Sequence, residues 1–453
     1  MSERLLRQAR LAFFQLSIYR NLKGDPIYQS FGNVLYGIKK DGLSVEELSF
    51  EYSELTALLA EEYELKAEPI IGNLWQNHLL ELILSDENVL SKKLQSTELE
   101  DISPGLQAVV KSDLRCLQIL SQIDSKLLLE QIEKRVKSDF AYDDPTSDVP
   151  CGDWHDFTPL KHTVQDDDKV WTKQQLLKKS CWEDALPLLA KYYKEKGTGI
   201  FSKYQAFRWV VENGRGELWP LTHTDPVRLD QLVDYEEQKR LITTNTESFL
   251  AGYPANNALL FGGRGTGKSS TVKALLNEYR DTDLRMIEVS KEDLVYFPVL
   301  AEMLRGQRYR FIVFIDDLSF EEGETQYKGL KAALEGGLTP RPENVLIYAT
   351  SNRRHLIAEY FDDQQVHPQD STQEKLSLAD RFGLRILYPN LDQKMYLNIV
   401  DALATESKLE MDRERLHKMA LQWQMQYNGP SGRTARQFIT HLIGNTTAKR
   451  YVS

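Results

Sequence analysis

The chain has 453 residues, of which 41% are hydrophobic, and its 67 acidic and 56 basic residues give a formal net charge of −11. This length allows two or three domains. The acidic balance argues against nucleic acid and anionic membranes as partners, because both require basic surfaces. The cysteines Cys116, Cys151 and Cys181 lack paired spacing, and there is no apolar run long enough to span a membrane. We therefore expect a cytoplasmic protein.

The N-terminal part, residues 1–137, has helical periodicity and few β-branched runs, which predicts an all-α domain. Its first segment, "MSERLLRQARLAFFQLSIYRNL", is rich in arginine and poor in acids, as organelle transit peptides are. The apolar residues of this segment nevertheless share one helical stripe, which favours a helix of a bundle over a targeting signal. These residues are Leu5, Leu6, Ala9, Phe13, Leu16 and Tyr19.

Residues 138–225 are predicted to form an acidic linker followed by a helical connector. Between about 138 and 175 the sequence is rich in Asp, Pro and Ser, which is typical of turns and linkers. His155 and His162 lie among these aspartates, but their spacing matches no metal-ligand template, so a solvated loop is favoured over a metal site. Helical periodicity then resumes, and "ENGRGELWPLTHTDPVRL" is interpreted as a second connector.

Short apolar runs alternate with helical or loop segments between residues 226 and 390. The runs are 258–261, 285–289, 311–315, 345–350 and 384–388. This alternation predicts an α/β domain with a parallel five-stranded sheet and right-handed crossovers. Residues 391–453 are helical in pattern and are predicted to form a C-terminal helical subdomain.

The segment "LLFGGRGTGKSSTVKALL" satisfies the phosphate-loop pattern G-x-x-x-x-G-K-[ST], with an apolar run before it and a helical stripe after it. Backbone N–H groups of such a loop surround phosphates, and the helix N-terminus adds positive charge. We expect Lys268 to neutralise the β- and γ-phosphates of ATP and Ser269 to bind Mg²⁺. The residues predicted to contact the nucleotide are Gly262, Gly263, Arg264, Gly265, Thr266, Gly267, Lys268, Ser269 and Ser270.

An acidic pair follows the apolar run "FIVFI". At this strand end Asp316 is expected to bind Mg²⁺, directly or through water, and Asp317 to accept a proton from the attacking water. Asn352 ends the run "VLIYATSN" and is a neutral donor that is able to hold that water or the γ-phosphate. Each residue alone could be an ordinary turn residue, so their combination with the phosphate loop is the informative feature.

Three arginines complete the pattern. Arg381 lies in "LADRFGL" beside a predicted strand, and Arg433 and Arg436 lie in "GPSGRTARQF" at the start of a helix. Each could also be a surface ion pair. The order of phosphate loop, acidic strand end, strand-end asparagine and two arginine sites resembles the AAA+ P-loop ATPases over about residues 226–453. "FIDDLSFEEGE" and "RPENVLIYATSNRRHL" further resemble an uncharacterised bacterial family of predicted ATPases with a domain of unknown function.

The resemblance implies an ATP- and Mg²⁺-dependent ATPase whose C-terminal helices form a lid. It makes Lys268 and Ser269 the Walker A residues and Asp316 the Mg²⁺ ligand, and it places Asp317 where the family usually has a catalytic glutamate. Because aspartate is one methylene shorter than glutamate, hydrolysis could be slow. Asn352 corresponds to sensor 1.

The resemblance also implies a homo-oligomer, because Arg381 corresponds to the arginine finger that reaches the γ-phosphate of a neighbouring subunit. Sensor 2 is either Arg433 or Arg436. Three functions stay open: an ATPase that remodels an unknown protein partner bound by the N-terminal helices, a nucleotide-gated switch, and a loader acting on nucleic acid, which the acidic charge disfavours.

Two further segments have alternative interpretations. "LVYFPVL" (294–300) could be an aromatic pore loop, but a buried helix face is favoured. A basic cluster that follows Asn352 could touch nucleic acid, but an acidic loop of a neighbouring subunit is favoured as its partner. The cluster is Arg353, Arg354 and His355, and the acidic loop contains Glu321, Glu322 and Glu324.

Overall fold

The computed structural model describes most of the chain. The chain divides into two compact units, Met1–Lys203 and Tyr204–Ser453. The division lies at 203/204, whereas the sequence placed boundaries near 137, 225 and 390. The described residues are 2–39, 42–64, 68–139, 154–157, 167–320, 327–335, 341–352, 378, 380–427 and 429–451.

The described elements of the first unit are helices around one apolar core. Side-chain caps define several of the helix starts: Asp25 accepts from the Tyr28 backbone N–H, and Asn73 forms a reciprocal capping box with Gln76. The helices are α1 (Ser2–Gln15), α2 (Pro26–Gly37), α3 (Val45–Glu64), α4 (Leu74–Ser85), α5 (Val89–Leu94), α6 (Pro104–Ser121), α7 (Ser125–Asp139), α8 (Asp167–Lys178), α9 (Leu186–Lys196) and α10 (Ile200–Lys203).

Helix α1 packs mainly on α6 through the apolar stripe that the sequence contains. Leu6, Ala9 and Leu16 are buried, and Leu5 and Phe13 pack partly buried against the same core. The first helix is therefore part of the bundle.

The second unit is built on a seven-stranded sheet rather than the five-stranded sheet that the sequence predicted. The strand order is β2-β1-β4-β5-β6-β3-β7, with β1 and β2 antiparallel and the other pairs parallel. The strands are β1 (Ala206–Glu212), β2 (Arg215–Pro220), β3 (Ala258–Gly262), β4 (Leu284–Glu288), β5 (Arg310–Ile315), β6 (Val345–Ser351) and β7 (Leu384–Tyr388).

The two additional strands form a hairpin in the segment that the sequence analysis interpreted as a connector. Glu212 pairs with Arg215 across a two-residue loop of Asn213 and Gly214, both with positive φ (51° and 75°). This conformation matches a type I′ hairpin turn, for which Asn-Gly is a preferred sequence. The Asn-Gly hairpin signal is thus present in the sequence, and the interpretation of this segment as a connector was wrong.

Strands β5 and β6 are buried along nearly their whole length, as the strands of covered parallel sheets are. Strand β3 lies between β6 and β7, with Phe261 opposite Ser351 and Gly262 opposite Tyr388. In β5 and β6, Ile315 lies opposite Ala349. Because these strands are parallel, the loops that follow β3, β5 and β6 leave the sheet at the same edge.

The remaining helices of the second unit flank the sheet or follow it. The last three share a small core of their own, which includes Tyr396, Leu416 and Phe438. Among the described helices, none combines the length and the hydropathy of a membrane-spanning segment. The helices are α11 (Glu236–Leu250), α12 (Lys268–Glu278), α13 (Phe297–Leu304), α14 (Tyr327–Glu335), α15 (Gln393–Glu406), α16 (Arg413–Gln426) and α17 (Gly432–Tyr451).

The segment 294–300 is helical, as the favoured interpretation expected. It spans the end of a 3₁₀ turn and the start of α13. Leu294, Phe297 and Leu300 are buried, while Val295 and Val299 are exposed. One face of the segment therefore packs on the domain.

Candidate active site

The phosphate loop between β3 and α12 contains glycines at positions where a side chain would collide. At Gly262 (φ 138°) a Cβ would lie 1.9 Å from the Tyr388 carbonyl oxygen, and at Gly265 (φ 70°) it would lie 2.7 Å from the Ser431 Cβ. The Gly265 carbonyl also accepts from the Gly432 N–H at 2.8 Å. The loop is thus held against the end of β7 on one side and the start of α17 on the other.

Gly267 (φ 90°) differs from these glycines, because among the described residues nothing apart from its chain neighbours lies within 4 Å of the position of its absent Cβ. Helix α12 begins at the next residue, Lys268. The open space at the start of a helix is where backbone N–H groups and the helix dipole attract anions.

Lys268 is 5% exposed, and its ammonium group is turned into the loop. Its Nζ donates to the carbonyl oxygens of Gly262 (3.1 Å) and Gly263 (2.6 Å) and to Oδ1 of Asn352 (3.0 Å). Burial lowers the pKa of Lys268, against the opposing effect of Asp317 and Asp316. These hydrogen-bond partners are neutral, and no carboxylate of the described residues is bound directly to the ammonium.

Asp316 follows β5 and receives hydrogen bonds on one oxygen. Its Oδ1 accepts from Oγ of Ser269 at 2.5 Å, from Oγ1 of Thr350 at 2.6 Å and from the backbone N–H of Asp317 at 3.1 Å. Its Oδ2 accepts no hydrogen bond from the described residues, and the side chain is exposed. One carboxylate oxygen is fixed and the other is open.

Asp317 adopts the left-handed conformation (φ 50°), which is uncommon for a residue other than glycine. Its N–H donates to Oγ1 of Thr350 at 3.0 Å, and its Oδ1 accepts from Nδ2 of Asn352 at 2.6 Å. Asn352 therefore bridges Lys268 and Asp317. A backbone strain of this kind costs on the order of 1–3 kcal/mol and occurs preferentially at functional sites.

The structure brings five of the predicted side chains together, namely Lys268, Ser269, Asp316, Asp317 and Asn352, through direct hydrogen bonds. The carboxyl ends of β5 and β6 and the start of α12 position them. Their catalytic and binding roles remain predictions. Thr350, which the sequence analysis did not select, belongs to the same network.

The predicted arginines are located differently. Arg433 and Arg436 are exposed on α17 and line a surface hollow of about 470 Å³, together with Gln437, Thr440 and His441. Arg433 directly follows Gly432, whose N–H binds the phosphate loop. Arg381 lies half-exposed in the turn before β7 and takes no part in the hydrogen bonds given above.

The donor set suits Mg²⁺ rather than a transition metal. Among the described residues, no group of three or more His, Cys, Asp or Glu side chains could hold a metal ion. Mg²⁺ in proteins is usually held by one or two carboxylates, with water and substrate phosphates as the other ligands. The hydroxyl of Ser269 and the open Oδ2 of Asp316 are oxygen donors of this type.

Some sequence predictions concern residues outside the described ranges. These are His162, the basic cluster at Arg353, Arg354 and His355, and the acidic residues Glu321, Glu322 and Glu324. His155 lies on a described turn and is exposed.

Comparison with known proteins gives a family and remote structural similarities. Among solved structures, the Thermotoga maritima RuvB Holliday junction branch migration motor is 17% identical and matches 47% of this chain and 62% of that chain, with a TM-score of 0.34. The AAA domain of FIGL-1 in complex with ADP is 18% identical over 48% of this chain and 72% of that chain, with a TM-score of 0.32. Similarity this low does not carry a functional assignment.

No curated protein matches the chain. The family described as "Protein of unknown function (DUF815)" matches residues 202–446, which is more than half of the chain. The matched range includes all seven strands of the sheet. The chain therefore belongs to the DUF815 family.

Proposed function

We propose that the protein binds ATP with Mg²⁺ and hydrolyses it in the manner of AAA+ ATPases. The observation that carries this proposal is the hydrogen-bonded network that joins a phosphate loop to two acids and an amide. Lys268 and Ser269 belong to the loop and its helix, and they bind directly to Asn352 and Asp316. Such a network combines an anion site, a cation site and a proton acceptor at one sheet edge.

Phosphate binding is supported by the neutral partners of Lys268. A buried lysine that serves only structure would be expected to pair with a carboxylate, because an uncompensated buried charge is unfavourable. Here the ammonium is hydrogen-bonded to two carbonyls and an amide oxygen, and the nearby Asp316 and Asp317 partly offset its charge without being bound to it. We propose that a phosphate becomes its direct ionic partner. The open space at Gly267 and the start of α12 offer backbone N–H donors beside it.

Ser269 and Asp316 are the residues that would hold Mg²⁺. When bound, the ion would neutralise charge on the phosphate oxygens. Ser269 would supply one hydroxyl oxygen and Asp316 one carboxylate oxygen as ligands beside the phosphates. The hydrogen bonds from Ser269 and Thr350 are made to Oδ1 of Asp316, so its Oδ2 is the carboxylate oxygen proposed to bind the ion.

Asp317 is proposed as the general base. Its Oδ1 is held by Asn352, which leaves Oδ2 to accept a proton from water. The water oxygen forms a bond to the γ-phosphorus, the bond from that phosphorus to the β–γ bridging oxygen breaks, and ADP leaves with the bond's electron pair. Asn352 orients the carboxylate through its Nδ2 and accepts a hydrogen bond from Lys268 on its Oδ1.

A complete site is proposed to require a second subunit and the C-terminal helices. Arg381 is proposed to act on the γ-phosphate bound by a neighbour, and Arg433 or Arg436 to contact the nucleotide bound by its own chain. Arg381→Ala should therefore lower turnover about 10³-fold or more with nearly unchanged ATP affinity. Mixing these subunits with Lys268→Ala subunits should restore part of the activity, and a mixture without recovery would contradict a shared site.

A nucleotide-gated switch is the second candidate function. The observation that favours it is the short side chain of Asp317, whose carboxylate is already bound by Asn352 at 2.6 Å. In that case ATP would bind without appreciable hydrolysis. In both cases we propose that the nucleotide controls an unknown protein partner of the N-terminal helices, since the net charge of −11 disfavours nucleic acid.

Nucleotide binding is tested by titrating the full chain with ATP, with and without Mg²⁺, by calorimetry. Lys268→Ala should abolish binding, because it removes the one ammonium group that the loop surrounds. Lys273→Ala is the matched control, since Lys273 lies on the same helix outside the network. Equal affinity in the Lys268→Ala variant and the wild type would refute the proposed site.

A further inference from the structure

Thr350 lies near the end of β6 and is 1% exposed. Its hydroxyl contacts both acids of the candidate site. In the sequence, a threonine in an apolar strand is typical of β-branched strand residues and does not indicate a site. We propose that Thr350 is a positioning residue that sets the orientation of Asp316 toward the metal and of Asp317 toward water. This inference rests on the proposed function, of which it specifies the geometric control.

The hydrogen bonds of the Thr350 hydroxyl account for both acids. Its single proton is donated to Oδ1 of Asp316 at 2.6 Å, and one of its lone pairs accepts the N–H of Asp317 at 3.0 Å. The first bond occupies the oxygen that faces the network and leaves Oδ2 for a cation. The second, together with the bond to Oδ1 of Asp316 at 3.1 Å, engages the backbone N–H of Asp317 in its left-handed turn.

The main chain of Thr350 fixes the same turn. Its carbonyl oxygen accepts from the N–H of Leu318 at 2.7 Å, which continues the β5–β6 pairing beyond Ile315. Thr350 is therefore bonded to Asp317 and to the residues on either side of it, Asp316 and Leu318. The carboxylate of Asp317 reaches Asn352 from this conformation.

Three substitutions separate positioning from ordinary packing. Thr350→Val keeps the shape and removes the hydroxyl, whereas Thr350→Ser keeps the hydroxyl. Thr246→Val is the matched control, because Thr246 is also fully buried in the second unit and bonds to Ile242 and Tyr348, outside the network. Its loss of thermal stability measures the general cost of deleting a buried threonine hydroxyl.

The first measurement is nucleotide affinity as a function of Mg²⁺ concentration, together with turnover. Thr350→Val should raise the Mg²⁺ concentration required and lower turnover, each by about 10- to 100-fold, as loss of residues that orient metal ligands does. Its nucleotide affinity in EDTA should equal that of the wild type. Thr350→Ser should stay close to the wild type, and impairment equal to that of Thr350→Val would overturn the proposal.

The second measurement does not depend on nucleotide. Hydrogen exchange of the Asp317 amide should be equally slow in the wild type, in Thr350→Ser and in Thr246→Val. It should be faster in Thr350→Val, where Oδ1 of Asp316 still accepts this N–H but the Thr350 hydroxyl does not. Exchange in Thr350→Val as slow as in the wild type would overturn the proposal even if the wild type bound no ATP. Absence of ATP binding with the expected exchange pattern would instead refute the proposed function alone.

Discussion

Each unit of the protein contains a polar cluster, and the two clusters differ in what their charges contact. In the first unit, Glu81 on α4 is bound by Lys169 and Lys173 on α8, each at 2.7 Å. Lys173 is 3% and Glu81 12% exposed, so the ions are paired and largely removed from water. In the second unit, the Lys268 ammonium contacts neutral oxygens, and Asp316 and Asp317 are exposed.

The comparison distinguishes a structural ion cluster from a site. A closed cluster satisfies its charges internally and contributes to the packing of two helices. An open network with a left-handed aspartate and an unbound carboxylate oxygen leaves charge available to a ligand. Substitutions in the two clusters should therefore affect different properties of the protein.

The largest effect is expected in the open network. Asp317→Asn removes the proposed proton acceptor and should lower ATP turnover by about 10²- to 10⁴-fold, the usual contribution of a general base. ATP affinity and thermal stability should change little, because the side chain is exposed. Unaltered turnover, measured with saturating ATP, would remove Asp317 from the mechanism.

The next effect concerns the closed cluster. Glu81→Gln leaves two lysine ammonium groups buried without their shared counter-ion and should cost about 3–5 kcal/mol of unfolding free energy. The measurement is urea unfolding of the first unit within the full chain, followed by tryptophan fluorescence. Glu68→Gln is the control, because Glu68 is 52% exposed beside Lys169 and should cost less than about 1 kcal/mol. Loss of ATP affinity in Glu81→Gln would contradict the separation of roles.

The same cluster predicts a pH dependence. Burial raises the pKa of Glu81, but the charges of Lys173 and Lys169 outweigh that effect and lower the pKa from 4.5 to about 2. Because the folded pKa is depressed, the stabilisation is fully present above the unfolded pKa. It is lost as the pH falls from about 4.5 toward 2, and it amounts at most to about 3 kcal/mol.

The stability difference between the wild type and Glu81→Gln should therefore narrow over this pH window. Urea unfolding at several pH values measures it. A difference that stays constant down to pH 2 would show that the ion pairs contribute no net stabilisation.

The sequence located most of the open network because its residues lie at strand ends. In a parallel sheet, Asp316, Asp317 and Asn352 follow strands that end at the edge where the phosphate loop begins. Their order along the chain, which resembles that of AAA+ ATPases, grouped them with Lys268. The residues of the closed cluster follow no sequence pattern that predicts their contact. Glu81, Lys169 and Lys173 are ordinary helix residues, and their contact depends on how α4 and α8 pack.

Thr350 shows where sequence reasoning ended within the site. It lies near the end of β6, two residues before Asn352, but whether its hydroxyl meets Asp316 depends on the register of β5 against β6, with Ile315 opposite Ala349. No residue pattern states that register. The hairpin β1–β2 is different, because its Asn213-Gly214 turn could have been recognised directly.

The central claim is that the second unit hydrolyses ATP in an oligomer. The most direct test is steady-state ATP turnover per subunit as a function of protein concentration, with Mg²⁺ present and with Asp317→Asn as the control. We predict turnover per subunit that rises with protein concentration to a plateau and is about 10²- to 10⁴-fold lower in the variant. ATP binding without turnover at any concentration would contradict the claim and would favour the nucleotide-gated switch.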